Sequence, residues 1–281
     1  MAKSSTNITL GKIGIIGVGV MGQAIAKSLL DRKFVDRQDL WGTTRTQDSA
    51  RIVEKELGIT CLHESYDGLL KKTDLVLLCV TPNQCLSALS QLRHEGLSTS
   101  SLVISIVTGV TTSAMQERIP DNPIVRAITN TPCLVGEGMT ALCCCPNASE
   151  THLATARAVF ESVGRVIELD ESLCNAMTGL SASGPAYIYL VIEALADGGV
   201  NVGIPRNLAL TIVAQTVLGA ATMVHKTGWH PARLRDDVTT PAGCTIGALL
   251  TLEDGKIRST LARAVKEAAR IASQLGKGED R

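Results

Sequence analysis

Aromatic residues and excess charge are both scarce in this chain of 281 residues. Aromatic residues make up 2% of it, although hydrophobic residues as a whole reach 45%. The core must therefore consist mainly of aliphatic side chains. Lys and Arg together number 27, as do Asp and Glu, so the formal net charge is zero. Without a basic field, we expect no binding to nucleic acid or to an anionic membrane.

The patterns typical of metal sites and disulfide frameworks are missing as well. The 9 cysteines are odd in number and scattered, no C-x-x-C pair occurs, and no histidine has metal-ligand spacing from a cysteine. We interpret the cysteines as small apolar core residues in a reducing compartment and expect no metal site. We find neither a targeting segment nor a run long and uncharged enough to span a bilayer, so a cytoplasmic location is expected.

A glycine turn near the start of the chain is the most informative feature. Gly17, Gly19 and Gly22 follow an apolar run with the spacing G-x-G-x-x-G, and a helical periodicity follows them. They serve, in order, a tight turn, close approach of a pyrophosphate, and close packing of helix on strand. The helix N-terminus at Val20 and Met21 favours the same anion. The turn predicts dinucleotide binding, and the alternative is a glycine-rich turn of another α/β protein.

The end of the next predicted strand indicates which dinucleotide is bound. Proteins that read NAD usually have an acidic residue there to hold the ribose 2′-OH. This chain has Thr43, Thr44 and Arg45 instead. Two hydroxyls and a guanidinium suit a 2′-phosphate, which Arg can bind bidentately. We therefore expect NADP(H) to be preferred, with NAD(H) also accepted; the alternative is that Arg45 is an ordinary solvated residue.

Strand and helix patterns alternate through the first half of the chain. The predicted strands span 13–17, 39–43, 59–62, 74–80, 102–107, 124–128, 139–144 and 165–169. The predicted helices span 20–31, 47–57, 65–71, 83–91, 111–118 and 150–162. This alternation predicts an α/β fold with an N-terminal Rossmann-type, doubly wound, mainly parallel sheet.

Strand patterns disappear after about residue 170. The remaining patterns are helical, at 172–200, 206–227, 232–237, 244–252 and 258–275. We predict an NAD(P)-binding domain over 1–168 and an all-helical domain over 169–281. The helices at 186–196 and 208–223 have such wide apolar faces that a second subunit is expected to cover them.

Two further groups of residues can carry chemistry. Glu193 and Asp197 lie four apart on one helix face, but their place beside two glycines favours near-terminal, solvated carboxylates over an acid–base pair. Residues 238–249 contain a turn rich in Thr and Gly at the start of a helix. Such a turn offers several unpaired N–H groups to an anion. The alternative for this turn is a plain helix start.

Together these segments resemble the Δ1-pyrroline-5-carboxylate reductase family over almost the whole chain. The most specific parts are residues 129–132, 177–187, 193–199 and 238–249. The resemblance implies a Rossmann domain followed by an all-helical dimerisation domain. It implies a homodimer, with a higher oligomer of dimers left open, in which each site combines one subunit's cofactor with the signature turn of the partner.

The resemblance also implies roles for individual residues. Beside the glycine turn and the loop at residues 43–45, the expected cofactor contacts are Val80, Thr81, Pro82 and Asn130. The expected substrate contacts are Thr240, Gly243, Cys244 and Thr245. The implied reaction is hydride transfer from NAD(P)H to the C=N bond of 1-pyrroline-5-carboxylate, giving L-proline. Backbone N–H groups at 243–245 would hold the substrate carboxylate, and Thr245, the expected catalytic residue, would orient the ring nitrogen.

Three positions differ from the residues that the family commonly has. Val20 stands in place of Asn and Thr81 in place of Lys, and both changes adjust the cofactor pocket. Ala242 stands in place of Gly and narrows the turn that would hold the carboxylate.

The sequence leaves three alternative functions. One is reduction of a related cyclic imine in secondary metabolism on the same scaffold. Another is a non-catalytic sensor that binds NADP(H), against which the intact turn of threonine and glycine argues. A β-hydroxyacid dehydrogenase fits the first half, but no lysine of the helical half is an obvious counterpart of the acid that such enzymes use.

Overall fold

A computed structural model describes residues 10–63, 65–66 and 68–275. These residues divide into two compact units, one of residues 10–182 with 267–275 and the other of Ser183–Lys266. The predicted domain boundary at residue 168 remains a prediction.

The first unit is built on an eight-stranded sheet in the order β3-β2-β1-β4-β5-β6-β7-β8. The strands are β1 (Ile13–Ile16), β2 (Leu40–Thr44), β3 (Thr60–His63), β4 (Leu75–Leu78), β5 (Leu102–Ser105), β6 (Ile124–Ile128), β7 (Gly138–Cys144) and β8 (Gly164–Glu168). Neighbouring strands are parallel except β6 and β7. The strand order reverses between β1 and β4, which confirms the predicted doubly wound, mainly parallel sheet.

Most predicted helices of this unit form close to their expected bounds. They are α1 (Val20–Asp31), α2 (Gln47–Leu57), α3 (Pro82–His94), α4 (Thr112–Gln116) and α5 (Glu150–Glu161). α2 begins where the Thr46 side chain accepts a hydrogen bond from the Ser49 N–H and ends at Gly58, whose φ is 66°. Such caps satisfy backbone groups at helix ends, which is why the sequence marks these bounds well.

The apolar pattern of β4 (Leu75–Leu78) predicts a strand covered on both faces, and this strand is buried along its whole length. On α1, the residues Ile25, Ala26 and Leu29 are buried in the same core as β1. The core is therefore aliphatic, as the low aromatic content requires.

The predicted helix at 65–71 is wrong. A 3₁₀ turn at Leu69–Lys72 forms instead, preceded by Gly68 with a φ of 70°. Tyr66 packs edge-on against Trp41 with ring centroids 6.1 Å apart, so tertiary contact overrides the local helical pattern. Residues 64 and 67 lie outside the described residues.

The helix predicted at 172–200 is divided into several pieces. They are a 3₁₀ turn (Glu171–Leu173), α6 (Cys174–Met177), a π-helical turn (Thr178–Ala182) and α7 (Gly184–Asn201). Pro185 lacks an N–H and is therefore tolerated only in a first turn, which explains why a new helix begins at Gly184. The remaining helices are α8 (Arg206–Thr227), α9 (Pro231–Asp237), α10 (Cys244–Asp254) and α11 (Ile257–Leu275).

Two helical stretches, Glu171–Asn201 and Arg206–Thr227, are long and apolar enough to cross a membrane by length and composition. The expectation that no such run exists is therefore wrong. The first stretch still reaches a mean hydropathy of 1.2 over an 18-residue window, because charges such as Glu193 and Asp197 are few. A helix that is covered by protein meets the same two criteria.

An ion pair joins the sheet to the 3₁₀ turn at Glu171–Leu173. Arg126 of β6 is 2% exposed, and its Nη1 donates to Oε1 of Glu171 at 3.0 Å. Thr112 donates to the same carboxylate through its N–H (2.7 Å) and its hydroxyl (2.5 Å). Burial raises the pKa of Glu171, but these hydrogen bonds and the Arg126 charge outweigh burial, so the pKa lies below its ordinary value.

We predict that Glu171→Gln lowers the free energy of unfolding near pH 7 by about 3 kcal/mol, because Arg126 stays buried without its counter-charge. A lowered carboxyl pKa stabilises the fold above the pKa of the unfolded chain, and this contribution is lost as the pH falls through the folded-state pKa. Wild type should therefore lose more stability than the variant as the pH falls into that acidic range.

Urea unfolding of both proteins across this pH range measures the effect. Glu168→Gln is the control, because Glu168 pairs with Arg157 at an exposed site where a salt bridge contributes little. Equal acid sensitivity of wild type and Glu171→Gln would contradict the role of this carboxylate.

Candidate active site

The glycine turn is held between the ends of β2 and β4. Gly17 has a φ of 90°, and its N–H donates to the carbonyl of Thr43 at 3.1 Å. The Val18 N–H donates to the same carbonyl at 2.8 Å. A Cβ at Gly17 would lie 3.0 Å from the Cys79 carbonyl oxygen and 3.1 Å from Cγ1 of Val80. Only glycine combines this φ with so close an approach.

The other two glycines differ in what surrounds them. A Cβ at Gly22 would lie 2.9 Å from the Gly17 carbonyl oxygen, so this residue allows α1 to pack closely on the turn. A Cβ at Gly19 would meet nothing within 4 Å. Gly19 is exposed and precedes α1 without a side-chain cap, so no capping side chain bonds the first N–H groups of the helix, which include those of Val20 and Met21. This cradle fits an anion such as a pyrophosphate.

The loop after β2 presents one unengaged cation. The Thr43 hydroxyl accepts from the Gly17 N–H at 3.2 Å, and the Thr44 hydroxyl donates to the Thr46 carbonyl at 3.1 Å. Both threonines are half-buried, whereas Arg45 is exposed and makes no hydrogen bond or ion pair within the described part of the chain. The guanidinium is therefore available to a ligand, while each hydroxyl already has one backbone partner.

The end of β4 lies beside the same turn. Thr81 precedes α3 and Pro82 is its first residue, so the missing N–H of proline costs no helical bond. The Thr81 hydroxyl donates to Oε1 of Gln84 at 2.9 Å. Burial raises the pKa of the Cys79 thiol to about 12, so this neighbour of Val80 is uncharged at neutral pH. The described geometry thus leaves Val80 and Thr81 as neutral groups at the strand end.

Asn130 uses its whole side-chain amide within the protein. Its Oδ1 accepts from the Met139 N–H at 2.9 Å, and its Nδ2 donates to the carbonyl and the hydroxyl of Ser181, both at 3.3 Å. Asn130 therefore links the end of β6 to the start of β7 and to the π-helical turn. Ser181 was not identified from the sequence as a partner of Asn130, and no local signal marks a contact between residues so far apart in the chain.

The second unit contains the turn rich in Thr and Gly. Ala242 has a φ of 56°, a strained conformation for a residue with a Cβ. The Gly243 N–H donates to the Thr240 carbonyl at 3.1 Å, and a Cβ on Gly243 would lie 2.4 Å from Oγ1 of Thr240. Any larger residue at 243 would therefore have to displace the Thr240 side chain, whereas the left-handed residue before it is not glycine.

The helix that follows begins without a side-chain cap. Gly243 precedes α10, and no side chain bonds the first N–H groups, which include those of Cys244 and Thr245. Thr245 is half-buried and its hydroxyl makes no hydrogen bond to a described residue. The turn has the donors that an anionic group needs, and Thr245 does not cap its helix.

Other polar side chains of the described residues have structural roles. Asp197 forms an ion pair with Arg206. His152 accepts from the Ser149 N–H as part of a helix capping box, and His230 accepts from the Ala232 N–H. Over residues 10–63, 65–66 and 68–275, no group of three or more His, Cys, Asp or Glu side chains could hold a metal ion.

The fold and this geometry define a Rossmann-type dinucleotide-binding protein. Residues 12–109 match a family model described as "NADP oxidoreductase coenzyme F420-dependent", and residues 171–275 match one described as "Pyrroline-5-carboxylate reductase dimerisation". A pyrroline-5-carboxylate reductase of Arabidopsis thaliana is 39% identical, over 94% of this chain and 95% of the relative. One of Schizosaccharomyces pombe is 41% identical, over 94% and 98%.

Solved structures agree with these relatives. Plasmodium falciparum pyrroline carboxylate reductase, crystallised with NADP bound, has a TM-score of 0.86 at 30% identity and covers 96% of this chain and 99% of its own. The Coxiella burnetii pyrroline-5-carboxylate reductase has a TM-score of 0.85 at 32% identity, covering 95% and 98%. The chain belongs to the pyrroline-5-carboxylate reductase family and is an oxidoreductase that uses a nicotinamide cofactor.

We predict that alanine at Gly19 and at Gly17 will have different effects. Gly19→Ala should cost about 1 kcal/mol of stability or less, because its Cβ points into open space, but should lower dinucleotide affinity about tenfold or more. Gly17→Ala should destabilise the free protein by about 2 kcal/mol, since its φ is positive and the Cys79 carbonyl is close.

Thermal unfolding without ligand and calorimetric titration with the dinucleotide separate the two effects. The open-cradle interpretation is wrong if Gly19→Ala binds the dinucleotide as tightly as wild type does.

Proposed function

We propose that this enzyme reduces the C=N bond of 1-pyrroline-5-carboxylate to L-proline, with NADPH as its preferred hydride donor. The observation that carries the proposal is the family match, which extends over nearly the whole chain and includes both the cofactor half and the dimerisation half. The open glycine cradle and the uncapped turn before α10 supply two anion sites, as a dinucleotide and a carboxylate substrate require.

The preference for NADPH follows from the loop after β2. No acidic residue ends this strand, so the strand end itself has no carboxylate that would repel a 2′-phosphate. Thr43 and Thr44 each already have one partner, which leaves the exposed Arg45 as the main group that would bind the phosphate. A guanidinium binds phosphate bidentately, so its contribution should be specific to the phosphorylated cofactor.

The nicotinamide ring would lie near Val80, Thr81 and Pro82, at the end of β4. Asn130 is a positioning residue in this proposal, because its amide holds the start of β7 and the π-helical turn rather than remaining free. Reduced nicotinamide, when bound, supplies a hydride to the electrophilic carbon of the protonated imine. The protein contributes orientation and exclusion of water.

The substrate carboxylate would be held by the N–H groups of Gly243, Cys244 and Thr245, with Thr240 supporting the turn. The Thr245 hydroxyl has no partner within the described residues, so it is available to donate to the ring nitrogen. As hydride reaches the carbon, a lone pair develops on nitrogen, and the hydroxyl can donate to it, so this hydrogen bond arises on the way to the transition state. A threonine hydroxyl is a poor acid, so its role is orientation and the imine proton comes from solution.

The active form in this proposal is a homodimer in the cytoplasm, in which the partner subunit supplies the signature turn to each cofactor. Large apolar residues of α7 and α8 that are exposed in the single chain support the dimer: Ile188, Tyr189, Leu190, Leu195, Leu208, Leu210, Ile212, Leu218 and Met223. An apolar surface of this extent is typical of an interface between subunits. If a partner subunit covers this surface, the apolar character of the stretches Glu171–Asn201 and Arg206–Thr227 is explained without a membrane.

We predict that pyrroline-5-carboxylate stimulates NADPH oxidation and that Arg45→Ala raises KM for NADPH about ten- to a hundredfold. That factor corresponds to the loss of a charge-assisted contact of about 1.5–3 kcal/mol. KM for NADH should scarcely change, since NADH has no 2′-phosphate. Arg51→Ala, which removes an exposed arginine of α2 paired with Asp48, is the matched control.

Steady-state rates with both cofactors test the proposal. No substrate-dependent oxidation would favour a non-catalytic sensor, and faster turnover of another ring size would favour a related cyclic imine. Equal losses for NADPH and NADH would show that Arg45 does not read the 2′-phosphate.

We predict that Thr245→Ala lowers kcat about ten- to a hundredfold and leaves NADPH affinity unchanged. Losing one hydrogen bond to a reacting group costs about 1–3 kcal/mol, and an interaction that strengthens in the transition state acts on turnover. Thr245→Ser should recover much of kcat because it keeps the hydroxyl. The melting temperature should change little, since Thr245 does not cap α10.

Turnover and melting temperature are measured together on both variants. Wild-type turnover combined with a lowered melting temperature in Thr245→Ala would assign this residue a purely structural role.

A further inference from the structure

Two buried thiols that the proposed reaction does not use face each other inside the first unit. Cys143 lies on β7 and Cys174 on α6, and their Sγ atoms are 2.8 Å apart. Cys174 is fully buried and Cys143 almost so. The adjacent Cys144 is exposed because strand residues alternate between faces. Cys143 is therefore the residue of the three consecutive cysteines that meets Cys174.

A buried cation stands beside this thiol pair. Arg126 of β6 is directly opposite Cys143 in the antiparallel ladder. Its Nη1 bonds Glu171, but its Nε and Nη2 have no hydrogen-bond partner within the described residues. A guanidinium with two unpartnered donors is well placed to stabilise negative charge that forms on a neighbouring sulfur.

The two thiols are not equivalent. The hydrogen bond from Cys143 lowers the pKa of Cys174, and Arg126 lowers it further against the opposing effect of burial. The same hydrogen bond and burial raise the pKa of Cys143. Cys174 therefore loses its proton more readily than Cys143, so Cys174 reacts first and Cys143 second.

We infer that Cys143 and Cys174 form a dithiol site that hydrogen peroxide oxidises to a disulfide. The Cys174 thiolate attacks one peroxide oxygen, the O–O bond breaks, and a sulfenic acid forms with release of water once the leaving oxygen takes up a proton. The Cys143 sulfur then attacks the sulfenic sulfur, the S–S bond forms and a second water leaves. Two thiols lose two electrons and two protons, and one peroxide is reduced to two waters.

The geometry requires little movement for this reaction. A disulfide bond is about 2.05 Å long, so the sulfurs must approach by about 0.8 Å. The bond would tie β7 to the segment that leads into the π-helical turn. That turn contains Ser181, which accepts the hydrogen bonds of Asn130. Oxidation would therefore fix covalently a connection next to the proposed cofactor site.

The test treats the folded full-length protein with hydrogen peroxide, blocks remaining thiols by alkylation under denaturing conditions, and maps linked peptides by mass spectrometry. We expect a peptide pair joined through Cys143 and Cys174 that has lost two hydrogen atoms and separates on reduction with dithiothreitol. Cys144→Ala and Cys145→Ala are the matched controls, because each removes a neighbouring thiol, and both should retain the linkage.

Cys143→Ala and Cys174→Ala should lose the linkage, with circular dichroism used to check that each variant is folded. If either variant does not fold, the wild-type peptide map and the two neighbouring variants decide alone. The inference is overturned if wild type has no linked peptide or if the same two peptides stay linked in folded Cys143→Ala. It is also overturned if Cys174 is linked through Cys144 or Cys145 in wild type.

Discussion

The glycine turn after β1 can form only because no side chain separates its backbone from the ends of β2 and β4. The Thr43 carbonyl accepts two N–H groups of the turn, and the Cys79 carbonyl would lie 3.0 Å from a Cβ at Gly17. This approach brings three strand ends together at the point where the strand order reverses. The open N-terminus of α1, the Arg45 loop and the end of β4 are neighbours because of it.

The turn before α10 also contains a residue with a positive φ, but here that residue is alanine. A left-handed conformation is needed to turn the backbone before the helix, and Ala242 adopts it in spite of its Cβ. A Cβ at Gly243 would meet the Thr240 side chain, which would have to move to make room for it. Backbone strain at such a position is typical of functional sites, where the surrounding structure holds the residue in place.

Electrostatics inside the first unit are concentrated at Arg126. Within the described residues Arg126 forms one ion pair, with Glu171, and its Nε and Nη2 have no hydrogen-bond partner. The same cation thus affects the acid stability of the fold and the chemistry of the Cys143–Cys174 pair. Glu171 also receives two hydrogen bonds from Thr112, so one carboxylate connects β6, α4 and the segment that follows β8.

Local patterns were enough to predict the parts of this protein that depend on near neighbours in sequence. The bounds of α1, α2 and β6 were predicted to the residue, and so was the tight turn at Gly17, because periodicity, caps and glycine act within a few residues. The order of the strands could be expected only in outline.

Tertiary structure alone decided the contacts that link distant residues. The register of β6 with β7 sets Arg126 opposite Cys143, and the amide of Asn130 is used by Met139 and Ser181. The helix predicted at 65–71 gave way to a packed Tyr66 for the same reason. Side-chain partners and burial depend on pairings between segments far apart in the chain, and no local spacing in the sequence encodes them.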